Sequence, residues 1–279
     1  MMLAGGCSAS MTVDVPRWDR VAEQPRTRRA PQLRCRNTAD MPDDLQTFPR
    51  DWSSALCIAA HPDDLEYGTA SAVAAWTAAG KAVSYLLVTS GEAGIDSLDP
   101  TECGPIREAE ERAGAAEVGV DDVEFLHYPD GVVEYGLPLR REIAAVIRRR
   151  RPDLVITGSP DPRPVWGGVD FADHRAVGLA GVDAARDAGN RWVFRDLATD
   201  GLTPWKVRRI AIANSVRPTH AVDVTDTIER GIASLRAHRR YLAGLGESAP
   251  DPDDMLRGFA RMTGERFGGR LAVSYELLG

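Results

Sequence analysis

The run Ala55-Leu56-Cys57-Ile58-Ala59-Ala60, followed at once by His61-Pro62-Asp63-Asp64, constrains the fold of this chain more than any other stretch. The apolar run is long enough for a buried strand and too short for a helix. Pro62 fixes its own backbone and biases His61 towards an extended conformation, so the strand ends at the histidine. From Glu66 to Gly80 small and apolar residues follow with a helix-like composition. The motif therefore falls in a strand-to-helix turn, where open α/β sheets carry their chemistry.

A neutral imidazole and a carboxylate three residues apart, His61 and Asp64, can reach one divalent cation, and the pair suits zinc. Asp63 points another way and is free to handle protons. Residue types alone leave a plainer reading open, since an Asp pair after a strand often caps the next helix. The strand before and the helix after favour the site.

A chain of 279 residues buries a substantial core, as one large α/β domain with appendages or at most two domains. A formal charge of −7 argues against nucleic acid or an anionic membrane as the main partner. The run Arg148-Arg149-Arg150-Arg151 ends a helix before Pro152, where cations complement the helix dipole. Cys7, Cys35, Cys57 and Cys103 show neither CxxC pairing nor framework spacing, which reads as a reduced cytoplasm without a cysteine metal site. No apolar run spans a bilayer. Met2-Leu3-Ala4-Gly5-Gly6-Cys7 lacks the basic start and apolar core of a lipoprotein signal.

Residues 1–50 are polar and without apolar period, and read as a poorly ordered extension, with Met41 as an alternative start. The domain proper spans 51–246, and 247–279 reads as a tail packing on it. Strands are expected at 82–89, 123–128 and 153–158, with helices over 105–117 and 139–150 between them. This alternation predicts a doubly wound, mostly parallel α/β sheet, Rossmann-like, with helices on both faces. Short strands follow at 207–213 and 221–224, and Asp226-Thr227-Ile228-Glu229 has the pattern of a capping box. It opens a helix that buries Ile228, Ile232, Leu235 and Leu242 and carries a structural His238. The Gly-rich loop after Thr89 lies on the sheet edge of the motif. His174, in the first turn of an Ala-rich helix, reaches that same edge and could face the motif as a third ligand, although a lone histidine is more commonly a surface residue. No glycine-rich nucleotide motif follows any strand.

On Ala60-His61-Pro62-Asp63-Asp64, Arg107 with Glu110, Tyr128-Pro129-Asp130-Gly131 and Asp173-His174, the chain resembles the PIG-L/LmbE-like zinc de-N-acetylases over roughly residues 53–245. These metal enzymes remove acetyl groups from amino sugars and related amides. The resemblance implies one Zn2+ per chain, or another divalent ion, on His61, Asp64 and His174. It makes Asp63 the general base and later acid, Arg107 and Asp130 substrate-binding, and Asp173 a residue that orients the site. A small N-acylated molecule is the implied substrate. A homo-oligomer is compatible with the sequence. Trp166 and Tyr135 could line a sugar site by stacking.

One departure matters. Where the family often has His-Pro-Asp-His, this chain has Phe171-Ala172-Asp173-His174, and Phe171 exchanges no proton. Either His220 or His127 takes over, or zinc and Asp63 suffice. The alternative is a metal-containing, catalytically silent sugar- or ligand-binding protein.

Overall fold

The computed structural model describes residues 44–165, 167–246 and 250–279. Its first half runs β1 (Gln46–Thr47), β2 (Ser54–Ala59), α1 (Asp64–Gly68), α2 (Ala70–Ala78), β3 (Ala82–Thr89), α3 (Pro100–Glu117), β4 (Val123–Tyr128), α4 (Leu137–Arg150) and β5 (Leu154–Gly158). There follow α5 (Ala172–Ala188), α6 (Arg195–Thr199), β6 (Arg209–Ala213), β7 (His220–Asp223), α7 (Ile228–Arg236), α8 (Arg239–Gly244), α9 (Pro252–Gly264) and β8 (Ala272–Leu278).

The strands form one sheet in the order β1-β7-β8-β6-β5-β2-β3-β4. Every pairing is parallel except those of β8, which runs antiparallel to β6 and to β7. From β2 the chain builds outward through β3 and β4, then returns to place β5 on the other side of β2. The strand order thus reverses between β2 and β5, and a crevice opens at their carboxyl ends. His61 leaves the first of these strands, and His174 follows the second on α5.

Alternation along the strands sends side chains to two cores. Ala55, Cys57, Ala59, Tyr85 and Leu87 face one side with Val73 and Trp76 of α2 and Ile228 and Ile232 of α7. Leu56, Ile58, Leu86 and Val88 face the other, against Leu139, Ile143 and Ile147 of α4 and Val177, Ala180 and Ala184 of α5. Gly178 lets α5 approach β5, since a Cβ there would come within 2.6 Å of the Gly158 carbonyl oxygen.

Several elements differ from expectation for local reasons. Helix α3 starts at Pro100, five residues early, because the Asp99 side chain accepts the Thr101 N–H and Pro100 suits the first turn. The capping box does not form: Thr227 precedes α7, but its hydroxyl donates to the Ser71 carbonyl instead. The helix expected to run through Leu242 breaks at His238, so Leu242 belongs to α8. The Arg run does fall in the last turn of α4, but Arg148 is also buried there and donates to the carbonyls of Ala188 (3.1 Å), Asn190 (2.9 Å) and Val193 (3.0 Å).

The fold also begins earlier and ends later than the sequence suggests. Residues 1–43 of the expected extension lie outside the described residues, but Leu45 and Phe48 are buried and β1 pairs with β7. In the expected tail, α9 packs on β8, and β8 is an interior strand.

Candidate active site

The turn after β2 places its polar groups by short-range geometry. Asp64 Oδ2 accepts the backbone N–H groups of Ala60 (3.0 Å) and His61 (2.9 Å), which leaves Oδ1 facing outward. His174 Nε2 lies 3.0 Å from that Oδ1 and 3.2 Å from His61 Nδ1. One ligating atom each from His61, Asp64 and His174 therefore falls within 4.8 Å of the others. The sequence-predicted set converges.

Carboxylates hold the far side of each ring. His61 Nε2 lies 3.0 Å from Asp130 Oδ1 and 3.3 Å from Asp173 Oδ2, and His174 Nδ1 lies 2.7 Å from Asp170 Oδ1. Asp173 is fixed in turn by the N–H groups of Gly131 (2.7 Å) and Val133 (3.1 Å). Such carboxylate–imidazole pairs set the tautomer and raise the basicity of a ligating histidine. Burial opposes charge on His61, but Asp130, Asp173 and Asp64 outweigh it and push its pKa up to about 12. On His174 burial likewise opposes charge, and Asp64 prevails to raise its pKa to about 9. The negative potential that retains protons here is the one a divalent cation would find. An N2O donor set with braced rings fits zinc.

Asp63 takes an unusual backbone conformation, with φ of 102°. Its N–H donates to Glu111 Oε2 (3.1 Å), and Arg107 pairs with its carboxylate at 3.0 Å. Burial is the first cause that pushes Asp63 up to about 6; Arg107 pulls the other way. It shares a cavity of about 1060 Å3 with His61, Asp64 and His174.

Arg107 and Asp130, expected at the substrate, have protein partners here. Arg107 is buried, donates to the carbonyls of Gly91 (3.1 Å) and Pro62, and stacks over Tyr241 at 4.3 Å. Asp130 braces His61 and accepts the Ala93 N–H (2.9 Å). Both still line the cavity. Phe171 is 71% exposed at the cavity wall, its ring 5.3 Å from that of His174. Among the described lining residues neither His127 nor His220 occurs, nor does Tyr135, whose hydroxyl donates to Asp183 (2.6 Å). Trp166 lies outside the described residues. Sequence reasoning missed Asp170 and Tyr241. The i, i+4 spacing of Asp170 and His174 was a usable signal; Tyr241 carried none.

A two-histidine, one-aspartate set beside a buried carboxylate, at the switch point of a doubly wound sheet, is a candidate metal site of the kind that metal-assisted hydrolases use. The PIG-L profile (GlcNAc-PI de-N-acetylase) matches residues 56–185, and the chain belongs to this family of metal-dependent de-N-acetylases, which are amide hydrolases. It is 32% identical to a diacetylchitobiose deacetylase of Thermococcus kodakarensis, over 67% of this chain and 70% of that protein. It is 28% identical to a 1D-myo-inositol 2-acetamido-2-deoxy-alpha-D-glucopyranoside deacetylase of Kineococcus radiotolerans, over 75% of this chain and 61% of that one. The N,N'-diacetylchitobiose deacetylase structure from Pyrococcus horikoshii superposes with a TM-score of 0.73 at 27% identity, covering 82% of this chain and 84% of that chain. The silent-binder alternative is not favoured, since these relatives are deacetylases.

Proposed function

We propose that this protein hydrolyses the acetamide of an N-acetylated amino sugar or a closely related small metabolite, with Zn2+ held by His61, Asp64 and His174. The observation that carries this reading is the convergence of those three ligating atoms beside Asp63 in one cavity. The deacetylation of N-acetylglucosamine-type compounds named for the relatives supplies the substrate class.

Bound zinc supplies Lewis acidity towards the amide oxygen and the attacking water. Asp63 accepts the proton that water gives up as its oxygen bonds to the acyl carbon, and returns it to the nitrogen as the C–N bond breaks. The products are acetate and a free amine. Burial raises the Asp63 carboxyl above the ordinary carboxylate range, the direction that favours a group which must both take and return a proton. Phe171 leaves the second half to Asp63, because none of the other histidines proposed for it lines the cavity. Arg107 holds the carboxylate, and Asp130, Asp173 and Asp170 hold the imidazoles. Buried free thiols at Cys57 and Cys103 fit a reducing cytoplasm as the place of action.

Acetate release from N-acetylglucosamine and diacetylchitobiose tests the reading. Chelation should abolish it and added zinc should restore it, while Asp63→Asn should keep the metal and lose turnover. Near-normal hydrolysis by Asp63→Asn would remove the assigned base.

A further inference from the structure

A second cluster of titratable groups has no part in the chemistry above. Glu66, Glu111 and His238 are sealed from solvent, at 1%, 0% and 0% exposure. His238 Nε2 lies 3.7 Å from Glu66 Oε2 and 3.7 Å from Glu111 Oε2. The Ser234 hydroxyl lies 2.9 Å from Glu66 Oε1, and Gly114 brings α3 so close that a Cβ there would meet Glu66 and His238 at 3.2 Å. Buried polar groups are expensive unless hydrogen-bonded, and Glu66 Oε2, Glu111 Oε1 and both His238 ring nitrogens have no such partner among the described residues, so the cluster calls for a function.

What Glu111 holds is Asp63. Its Oε2 accepts the Asp63 N–H at 3.1 Å, at the residue whose φ is 102°. An L residue keeps such a backbone only where its surroundings over-determine it. Arg107 and Glu111 are four residues apart and share one face of α3. That face grips Asp63 twice, by the carboxylate through Arg107 and by the backbone through Glu111. The neighbouring Glu110 accepts the N–H groups of Arg240 and Tyr241, and Tyr241 stacks on Arg107. Helix α8 thereby closes over the same residue, and His238 at its start packs against Glu111.

We propose that Glu111 is a positioning residue for the reaction: its hydrogen bond to the Asp63 N–H holds the left-handed backbone that sets the Asp63 carboxylate in the cavity, and His238 with Glu66 fixes the Glu111 side chain. The inference rests on Asp63 as the base. A cation among the three side chains is the competing use of the cluster, since their ligating atoms also lie within 4.8 Å. Glu66 Oε1 and Glu111 Oε2 already accept the Ser234 hydroxyl and the Asp63 N–H, whereas Glu66 Oε2, Glu111 Oε1 and the His238 nitrogens have no hydrogen-bond partner among the described residues, so the metal content of the protein decides between the two uses.

The test compares Glu111→Ala and Glu111→Gln, each in the wild-type and Asp63→Asn backgrounds, with kcat, KM, metal content and Asp63 amide exchange measured. Glu111→Ala should lower kcat about 10²-fold with KM and metal content little changed, as expected for a misaligned reacting group. Glu111→Gln keeps an acceptor oxygen and should recover most of that loss. In the Asp63→Asn background Glu111→Ala should cost nothing more, because the two act as one unit. A full kcat in Glu111→Ala, or the same loss in both backgrounds, overturns the proposal. So does a second equivalent of metal that disappears in His238→Ala. Should Glu111→Ala fail to fold, Glu111→Met fills the space without an acceptor and carries the comparison. An active Asp63→Asn would sink the base assignment alone. Glu111 would then be judged by the Asp63 amide, whose protection should fall in Glu111→Ala; unchanged protection would sink the positioning role.

Discussion

At the scale of single residues, the site is legible where its parts are close in sequence and obscure where tertiary structure supplies them. His61, Asp63 and Asp64 follow one strand, so composition and spacing suffice to place them together. His174 needed topology as well: α5 had to start on the sheet edge where β2 ends. The roles of Arg107 and Asp130 depend on which neighbour each meets, and that is decided by α3 and by the turn after β4 rather than by local pattern. Burial works against charge on Asp130, yet the His61 contact outweighs it and holds its carboxyl below the ordinary range. This marks Asp130 as a group bound to the imidazole. Asp130→Ala should accordingly weaken zinc affinity by about 10–100-fold, the usual cost of losing a carboxylate behind a ligating histidine. Metal titration against a competing chelator reads this directly. A residue that only gripped substrate would instead raise KM with metal affinity intact, and that result would return Asp130 to the substrate-binding role that the family resemblance implies.

Among the elements, α3 carries most of the support for Asp63, and its start was misplaced by sequence periodicity alone. Cys103, Gly104 and Pro105 give no helical stripe, and Pro105 looks like a beginning. The real beginning is Asp99-Pro100, where the side chain of Asp99 accepts the N–H of Thr101 at 2.9 Å. The hydrogen bonds from Thr101 lower the Asp99 pKa below its ordinary 3.8. The sign of the linkage follows. A carboxylate whose pKa is lower folded than unfolded stabilises the fold above 3.8, and that contribution is lost as the pH falls through the lowered value. Asp99→Ala should therefore reduce the melting temperature by about 2–4 °C at neutral pH, the ordinary effect of losing a cap in a chain of this size. The difference should shrink as the pH is taken well below 3.8. Melting curves of both proteins across that range check it; a pH-independent difference would mean that the cap acts through its shape and not its charge. The α7–α8 break at His238 was likewise invisible, because the groups packed around that histidine, Glu66 and Glu111, come from two helices distant in sequence.

On the scale of the whole molecule, the doubly wound sheet follows from the alternation of strands and helices, but its closure depends on the chain's last strand. Strand β8 gave little signal, because Ser274 and Glu276 interrupt its apolar residues. Both are accommodated locally: Glu276 accepts the Ser215 hydroxyl at 2.5 Å, and Ser274 pairs in register with Ala221. The strand lies between β6 and β7 and runs against both, so without it each would present an unpaired edge. Its Tyr275 is fully buried, with ring centroids 5.3 Å from Phe48 and 5.8 Å from Trp76. Phe48 precedes the first helix and Trp76 sits on α2, so this one side chain ties the two ends of the described chain to the core under the motif strand. Tyr275→Ala should cost about 3–5 kcal/mol, the range for removing a buried aromatic ring. Tyr275→Phe, which loses only the weak 3.4 Å contact of the hydroxyl with Thr69, should cost about 1 kcal/mol or less. Denaturant unfolding at fixed zinc concentration separates the two, since bound metal stabilises every variant by mass action. Equal losses in both variants would place the stabilisation in the hydroxyl and not in the ring packing.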